Sequence, residues 1–202
     1  MQDALSYFLA VWMKFFFIFT PFFALSMFLS MTIDHTASQR RKLAVQTTSA
    51  VTVLCFGLYY FGNIIFAVFN ITLDAFRVGA GALLFLSAIE LVQAKPTPSG
   101  SYRDSEIAVV PLAIPIIVGP ATIGTLLVLE AEMSTSIEKM IGTIALITAI
   151  ASIGIILFFA SYIESILGRR GINILSKMTG LILAALAAQM ILSGTRHFFM
   201  AG

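Results

Sequence analysis

Long apolar stretches without charges recur along the whole chain, separated by short segments that hold most of the charged residues. A helix that crosses a bilayer needs about 20 mostly apolar residues, because each helical residue advances only about 1.5 Å. Six stretches meet this requirement once their neighbours are included. They cover residues 5–31, 43–68, 72–94, 107–130, 139–163 and 172–197. The pattern therefore predicts an all-α membrane protein with six transmembrane helices.

The composition agrees with this interpretation. Hydrophobic residues make up 59% of the 202 positions and charged residues only 11%, whereas soluble domains carry about 25% charged residues. The first span is too long for a signal peptide and contains Lys14, so we expect it to be retained. Cys55 is the only cysteine, which excludes a disulfide within the chain and a cysteine-based zinc site.

The positive charges predict the orientation. Seven lysine and arginine residues fall in the first, third and fifth loops, against two on the opposite side. The seven are Arg40, Arg41, Lys42, Lys95, Arg103, Arg169 and Arg170. Cytoplasmic loops carry the excess of positive charge. We therefore expect a multi-pass protein of the prokaryotic cytoplasmic (inner) membrane, with both termini on the outer side.

A flexible segment over residues 95–106, rich in proline, glycine and serine, divides the chain into two halves. We predict a first three-helix repeat over 1–94, a cytoplasmic linker over 95–106 and a second three-helix repeat over 107–202. A constant offset of 99 positions aligns rare residues of the halves. The pairs are Thr20 with Gly119, Pro21 with Pro120, Arg40 with Lys139, Asp74 with Asn173, Gly81 with Gly180, and Glu90 with Gln189.

The repeat has a topological consequence. Because each half has an odd number of spans, the two halves must cross the membrane in opposite directions. Inverted repeats of this kind are the usual framework of secondary transporters, whose solute site lies near the midplane. A duplicated helical bundle without a transport function is the alternative.

Prolines interrupt the first and fourth predicted spans at Thr20-Pro21 and Gly119-Pro120. Proline removes a backbone donor, and broken helices in lipid are tolerated only where they face protein or a water-filled cavity. We therefore predict a substrate-binding site formed by Thr20, Pro21, Gly119, Pro120 and Thr122. A simple kink at each proline is the alternative interpretation.

Polar residues within the spans are candidates for coupling or gating, since ionisable groups inside a membrane usually mark functional sites. The candidates are Lys14, Asp74, Arg77 and Asn173, while Glu90 lies near the cytoplasmic interface. Each has a simpler explanation. Lys14 could reach the surface if its helix is tilted, Asp74 could cap a helix and pair with Arg77, and Glu90 could be a solvated interfacial carboxylate.

Little in the sequence favours an enzyme. Neither His35 nor His197 has an acidic neighbour at metal-ligand spacing or a serine or cysteine placed for nucleophilic catalysis. A phosphate-binding loop is also absent from the sequence. The basic residues are few and scattered, which argues against a nucleic-acid partner. We expect no catalytic residue, no metal and no cofactor.

Several motifs resemble the MarC family of prokaryotic membrane proteins, also described as a neutral amino-acid transporter family. They are Ala75-Phe-Arg77-Val-Gly79-Ala-Gly81, Val110-Pro-Leu-Ala-Ile-Pro-Ile-Ile-Val-Gly-Pro-Ala121, Gly171-Ile-Asn173, Met178-Thr-Gly-Leu-Ile-Leu183 and Gln189-Met190. The resemblance implies six helices in two inverted repeats and transport of small neutral amino acids such as glycine or alanine. The family usually has Asn-Pro followed by small residues where this chain has Thr20-Pro21-Phe22-Phe23. The difference indicates a smaller or less polar pocket.

Two functional hypotheses follow. The first is a secondary transporter of a small solute that works by alternating access, coupled to a proton or sodium gradient. The second is a non-transporting membrane protein that acts as a structural or assembly partner. The sequence leaves the coupling ion, the direction of transport and the oligomeric state open, a homo-oligomer included.

Overall fold

The computed structural model describes residues 2–93, 113 and 116–200. The regular structure of these residues is entirely helical. The α-helices are α1 (Gln2–Ile18), α2 (Pro21–Met31), α3 (Ala37–Phe69), α4 (Leu73–Gln93), α5 (Pro120–Glu132), α6 (Ser136–Phe158) and α7 (Ala160–Met200). The predicted linker over residues 95–106 lies outside the described residues, as do residues 107–112, 114 and 115 of the fourth predicted span.

Five stretches of the described residues are long and apolar enough to cross a membrane. They are Ala4–Met31, Ala37–Phe61, Leu73–Gln93, Ser136–Phe158 and Ala160–Arg196. Each corresponds to one of the six predicted spans. The fourth predicted span ends as α5, whose 13 residues are too few to cross a bilayer alone. An all-α, multi-pass architecture is thus confirmed.

A threonine directly before the first residue caps the start of three helices. Its hydroxyl accepts a hydrogen bond from an otherwise unpaired N–H of the first turn. Thr135 and Glu138 form a reciprocal capping box at the start of α6. Thr36 and Gln39 form a similar arrangement before α3. The hydroxyl of Thr72 accepts a hydrogen bond from the Ala75 N–H at 3.3 Å before α4.

The predicted loop between residues 163 and 172 is reduced to a kink at Gly168, and the rest of this segment is helical. Helix α6 ends at Phe158, α7 begins at Ala160, and the chain continues through Arg169 and Arg170 as a kinked helix. Gly168 bends the helix with a left-handed φ of 62°, a conformation that glycine adopts without a steric penalty. The charges that suggested a loop are exposed on the helix, where Arg169 pairs with Glu164 at 3.0 Å.

The two most extensive helix–helix contacts of the bundle join one half of the chain to the other. Helix α4 packs along α7 and against α5, and α3 packs less extensively against α5 and α6. The first span, α1 with α2, packs against α6 and α7, and its aromatic residues Phe15, Phe19 and Phe28 are almost completely buried. Many large apolar side chains, such as Val53 and Leu192, remain exposed on the outside, as a lipid-facing surface requires.

Candidate functional site

The first span is broken at Thr20, as the sequence predicts. Thr20 adopts a left-handed conformation with φ 49° and ψ 57°, and Pro21 begins α2 directly after it. This conformation is a genuine outlier for a β-branched residue and costs about 1–3 kcal/mol. The surrounding core holds it in place, since Thr20 is only 9% exposed.

The second break lies at Gly119-Pro120 and has a different local geometry. Gly119 is extended, with φ −85° and ψ 176°, and Pro120 is the first residue of α5. Just before it, the Val118 N–H donates to the Ala113 carbonyl at 2.9 Å. The Thr122 hydroxyl donates to the Ile117 carbonyl at 2.9 Å, so this hydroxyl supports the broken backbone.

Both breaks open onto one cavity of about 420 Å³, which we call the central cavity. Its walls come from the first span, α4, α5 and α7. The lining residues are Ile18, Thr20, Phe23, Leu84, Ser87, Glu90, Leu91, Ile116, Gly119, Pro120, Ala121, Thr122 and Leu183. The predicted site residues Thr20, Gly119, Pro120 and Thr122 are therefore brought together. Pro21 is buried beside them but does not line the cavity.

The lining also contains residues that are equivalent in the two halves of the chain. The offset of 99 positions relates Thr20 to Gly119, Phe23 to Thr122, and Leu84 to Leu183, and all six of these residues line the central cavity. The cavity therefore lies where corresponding parts of the two halves meet.

Few polar groups face the central cavity, and some of them have no partner among the residues that the structure describes. Within the described part of the chain, neither the Thr20 hydroxyl nor the Glu90 carboxylate takes part in a side-chain hydrogen bond or an ion pair. The first turn of α5 contributes Pro120, Ala121 and Thr122 to the lining. Pro120 has no N–H, so the unpaired donors of this helix start that lie beside the cavity are the backbone N–H groups of Ala121 and Thr122. The cavity thus combines hydrogen-bond donors with a carboxylate.

The sequence predicts that Glu90 lies near the cytoplasmic interface and leaves its role open. In the structure Glu90 is exposed at the C-terminal end of α4 and lines the central cavity together with Ser87, one turn earlier. The signal that could have identified it was its alignment with Gln189 in the repeat.

Asp74 and Arg77 form the predicted pair, with 2.7 Å between Asp74 Oδ1 and Arg77 Nη1. Arg77 also binds Glu132 of α5 at 3.0 Å, so it joins the two halves of the chain and is largely buried. Neither Asp74 nor Arg77 lines the central cavity.

Asn173 and Lys14 occupy two further places. The Ser26 hydroxyl donates to Asn173 Oδ1 at 3.2 Å, which links α2 to α7. Lys14 lines a smaller cavity of about 170 Å³ that also contains Glu132. The four candidates for coupling or gating therefore do not form one cluster. Among the described residues, no three His, Cys, Asp or Glu side chains are placed to hold a metal ion.

The chain as a whole matches the sequence profile of the MarC family integral membrane proteins over residues 5–199. The protein belongs to the MarC family. This match covers both breaks, the central cavity and the smaller cavity.

Related MarC family proteins occur in archaea and bacteria. A UPF0056 membrane protein of Methanocaldococcus jannaschii is 32% identical over 95% of this chain and 97% of its own length. The UPF0056 membrane protein YvbG of Bacillus subtilis is 30% identical over 96% of each chain. The UPF0056 inner membrane protein YhgN of Escherichia coli is 31% identical over 89% of this chain and 91% of its own length. No solved structure matches the protein.

Proposed function

We propose that this protein is a secondary transporter that binds a small solute in the central cavity. The observation that carries the proposal is that the breaks at Thr20-Pro21 and Gly119-Pro120 open onto the same cavity. Secondary transporters bind their solutes near the midplane, where discontinuous helices expose backbone groups. A volume of about 420 Å³ falls within the usual range for small-molecule sites.

An inverted repeat, with one half over residues 1–94 and the other over 107–202, is part of this proposal. The equivalent pairs Thr20 with Gly119 and Leu84 with Leu183 in the lining support it. In such a fold, rocking of one half against the other exposes a fixed site to each side in turn. This motion is the alternating access that we propose.

We further propose that the protein lies in the cytoplasmic membrane with both termini outside. Arg40 contacts Ser161 at 3.1 Å and Glu164 at 3.7 Å, so the first loop and the α6–α7 turn share one end of the bundle. Five of the basic residues that favour a cytoplasmic location belong to these two segments, Arg40, Arg41, Lys42, Arg169 and Arg170. The Escherichia coli relative is named an inner membrane protein, which agrees with this location.

For the solute class we propose small neutral amino acids, carried with a proton or sodium ion. A zwitterion needs groups of both signs, and the cavity offers the first-turn N–H groups of α5 and the Glu90 carboxylate. Phe23, Leu84 and Leu183 leave limited room for a side chain. Glycine and alanine fit these requirements.

The proposal is tested by reconstituting the purified protein in proteoliposomes and measuring uptake and release of labelled glycine and alanine. We expect transport that depends on a proton or sodium gradient. Thr20→Val removes only the free hydroxyl and should lower uptake by about two- to tenfold, the usual value of one hydrogen bond. Thr148→Val, which changes a hydroxyl that binds the Ile144 carbonyl in α6, is the matched control.

The result against the proposal is an absence of gradient-sensitive transport for every solute in a panel of small metabolites. The second hypothesis, a structural or assembly partner, would then gain support. Such a partner needs no open space between its halves, and the central cavity beside the two breaks therefore weighs against it.

A further inference from the structure

The smaller cavity of about 170 Å³ that Lys14 lines, which we call the second cavity, lies between α1, α5 and α7. Its polar lining comes from Lys14, Thr125, Glu132, Gln189 and Ser193. Along the sequence of α5 and of α7, the residues that line the second cavity come after the residues that line the central cavity. On α1 the order is reversed, and Lys14 comes before the residues that line the central cavity. In the proposed topology α1 runs antiparallel to α5 and α7. On all three helices the second cavity therefore lies nearer the same end of the bundle than the central cavity does.

Ile18 separates the two cavities. It is the last residue of α1, is 3% exposed and lines both the central and the second cavity. Lys14 lies one helical turn, or about 6 Å, before Ile18. A solute in the second cavity is thus one side chain away from the helix breaks.

Lys14 is partly buried within the first span and has no ion pair or side-chain hydrogen bond to any described residue. An unpaired ammonium at this depth is costly, and such groups normally face a partner or a water-filled cavity. Other polar groups of the lining are occupied. The Thr125 hydroxyl binds the Ala121 carbonyl at 2.8 Å, and the Ser193 hydroxyl binds the Met190 carbonyl at 3.1 Å.

The negative charge of the same cavity does not neutralise Lys14. Glu132 Oε1 is bound by Arg77 at 3.0 Å, and no ion pair within 4 Å joins Lys14 to Glu132. Gln189, on α7, adds an amide that can both donate and accept. A molecule held here would therefore meet a free cation, an amide and, on another wall, a carboxylate.

We propose that the second cavity binds the carboxylate of a small solute and that Lys14 is the residue that binds it. The site deepens the proposed transport function, since it forms the outer part of the same path, on the opposite side of Ile18 from the central cavity. A zwitterion fits it best, because its ammonium group can approach Glu132 while its carboxylate contacts Lys14.

The test uses the full-length protein in lipid nanodiscs, with calorimetric titration of glycine, acetate, methylamine and chloride. We expect glycine and acetate to bind and methylamine to bind much more weakly. Lys14→Gln should weaken acetate binding by about tenfold or more, the usual effect of losing one charge-assisted hydrogen bond. Lys14→Arg keeps the cation and should retain most of the binding.

Lys42→Gln is the matched control, because it removes an exposed lysine from the start of α3 and should leave acetate binding unchanged. Gln189→Leu provides a second variant within the cavity and should weaken binding without changing any charge. Acetate affinity that is equal in the wild type and Lys14→Gln would overturn the proposal. So would an absence of binding by either carboxylate, or equal binding of chloride and acetate.

Glycine transport by the same preparations separates this proposal from the proposed function. Gradient-sensitive glycine transport, together with an acetate affinity that does not change when Lys14 is substituted, would overturn the second site. The proposed binding site in the central cavity would still be supported by that result. Acetate binding that depends on Lys14 without any gradient-sensitive transport would support the second site and contradict the transport function.

Discussion

Gly81 and Gly180 occupy corresponding positions in the contact between α4 and α7. A methyl group added to Gly81 would lie 3.1 Å from the Ala187 carbonyl oxygen, and one added to Gly180 would lie 3.0 Å from the Ala88 carbonyl oxygen. Each helix thus approaches the backbone of the other closely at its own glycine. Small residues permit this kind of close packing between membrane helices.

The partners of the two glycines are related in the same way as the glycines themselves. The offset of 99 positions connects Gly81 with Gly180, Ala88 with Ala187, and Val92 with Ile191. Val92 lies 3.0 Å from the added methyl at Gly180, and Ile191 lies 2.7 Å from the one at Gly81. The reciprocal contacts support our proposal of two inverted halves.

Alanine at either glycine should destabilise the protein. Gly81→Ala and Gly180→Ala each force a methyl group against a backbone carbonyl, which cannot move without shifting its helix. Overpacking of this kind costs about 1–3 kcal/mol. The measurement is the thermal unfolding midpoint of each variant in nanodiscs, compared with the wild type.

Gly79→Ala is the matched control, since an added methyl there would meet nothing within 4 Å. It lies on the same helix and should be neutral or slightly stabilising, because alanine favours helix more than glycine does. Equal midpoints for Gly79→Ala, Gly81→Ala and Gly180→Ala would contradict the close approach of α4 and α7.

Phe23 should limit the size of the solute. Its side chain lines the central cavity, as does the equivalent position Thr122, and Phe23→Ala enlarges the space beside the first break. We expect the preference for glycine over leucine to fall by about tenfold, within the 10- to 200-fold range of discrimination by apolar pockets. Competition by leucine against labelled glycine uptake measures this ratio. Phe22→Ala removes a neighbouring ring that does not line the cavity and should leave the ratio unchanged.

Ile18 should act as a barrier between the central and second cavities. Ile18→Ala shortens the one side chain of the described residues that lines both cavities, so we expect a leak of solute that no longer depends on an ion gradient. Efflux of labelled glycine from preloaded proteoliposomes measures the leak. Val11→Ala shortens a similarly buried residue of α1 that lines neither cavity and should show none. Equal efflux from both variants would mean that Ile18 is no barrier.

The proposed orientation can be tested with cysteine labelling. Cys55 is completely buried, so we expect a membrane-impermeant maleimide to leave the wild-type protein unlabelled in intact cells. Ser134→Cys places an exposed thiol at the α5–α6 connection and should be labelled from outside. Ser38→Cys, exposed near the start of α3, should react only after the membrane is permeabilised. The reverse result would invert the topology.

Several features of the site were predictable because they depend on local chemistry. Proline cannot donate a backbone hydrogen bond, and so the breaks at Thr20 and Gly119 follow from the sequence. The Asp74–Arg77 pair follows equally from helical spacing. The local conformations did not follow, since Thr20 is left-handed whereas Gly119 is extended.

Other features depended on which helices become neighbours. Charge alone suggested that Arg169 and Arg170 lie in a loop, but a helix accommodates these exposed arginines, and the helical conformation is interrupted at Gly168 just before them. The role of Arg77 as a link to Glu132 required the packing of α4 against α5. The place of Glu90 in the lining of the central cavity likewise depended on how the helices pack together.

By itself, the sequence determined the membrane class, the helical architecture, the MarC family resemblance and the position of both helix breaks. These follow from the length of the apolar stretches and from the backbone chemistry of proline. Only the tertiary structure brought Thr20 and Gly119 to one cavity, placed Lys14 in another and put Ile18 between them. Cavities form between helices distant in the chain, and their positions depend on how side chains such as those around Gly81 and Gly180 fit together.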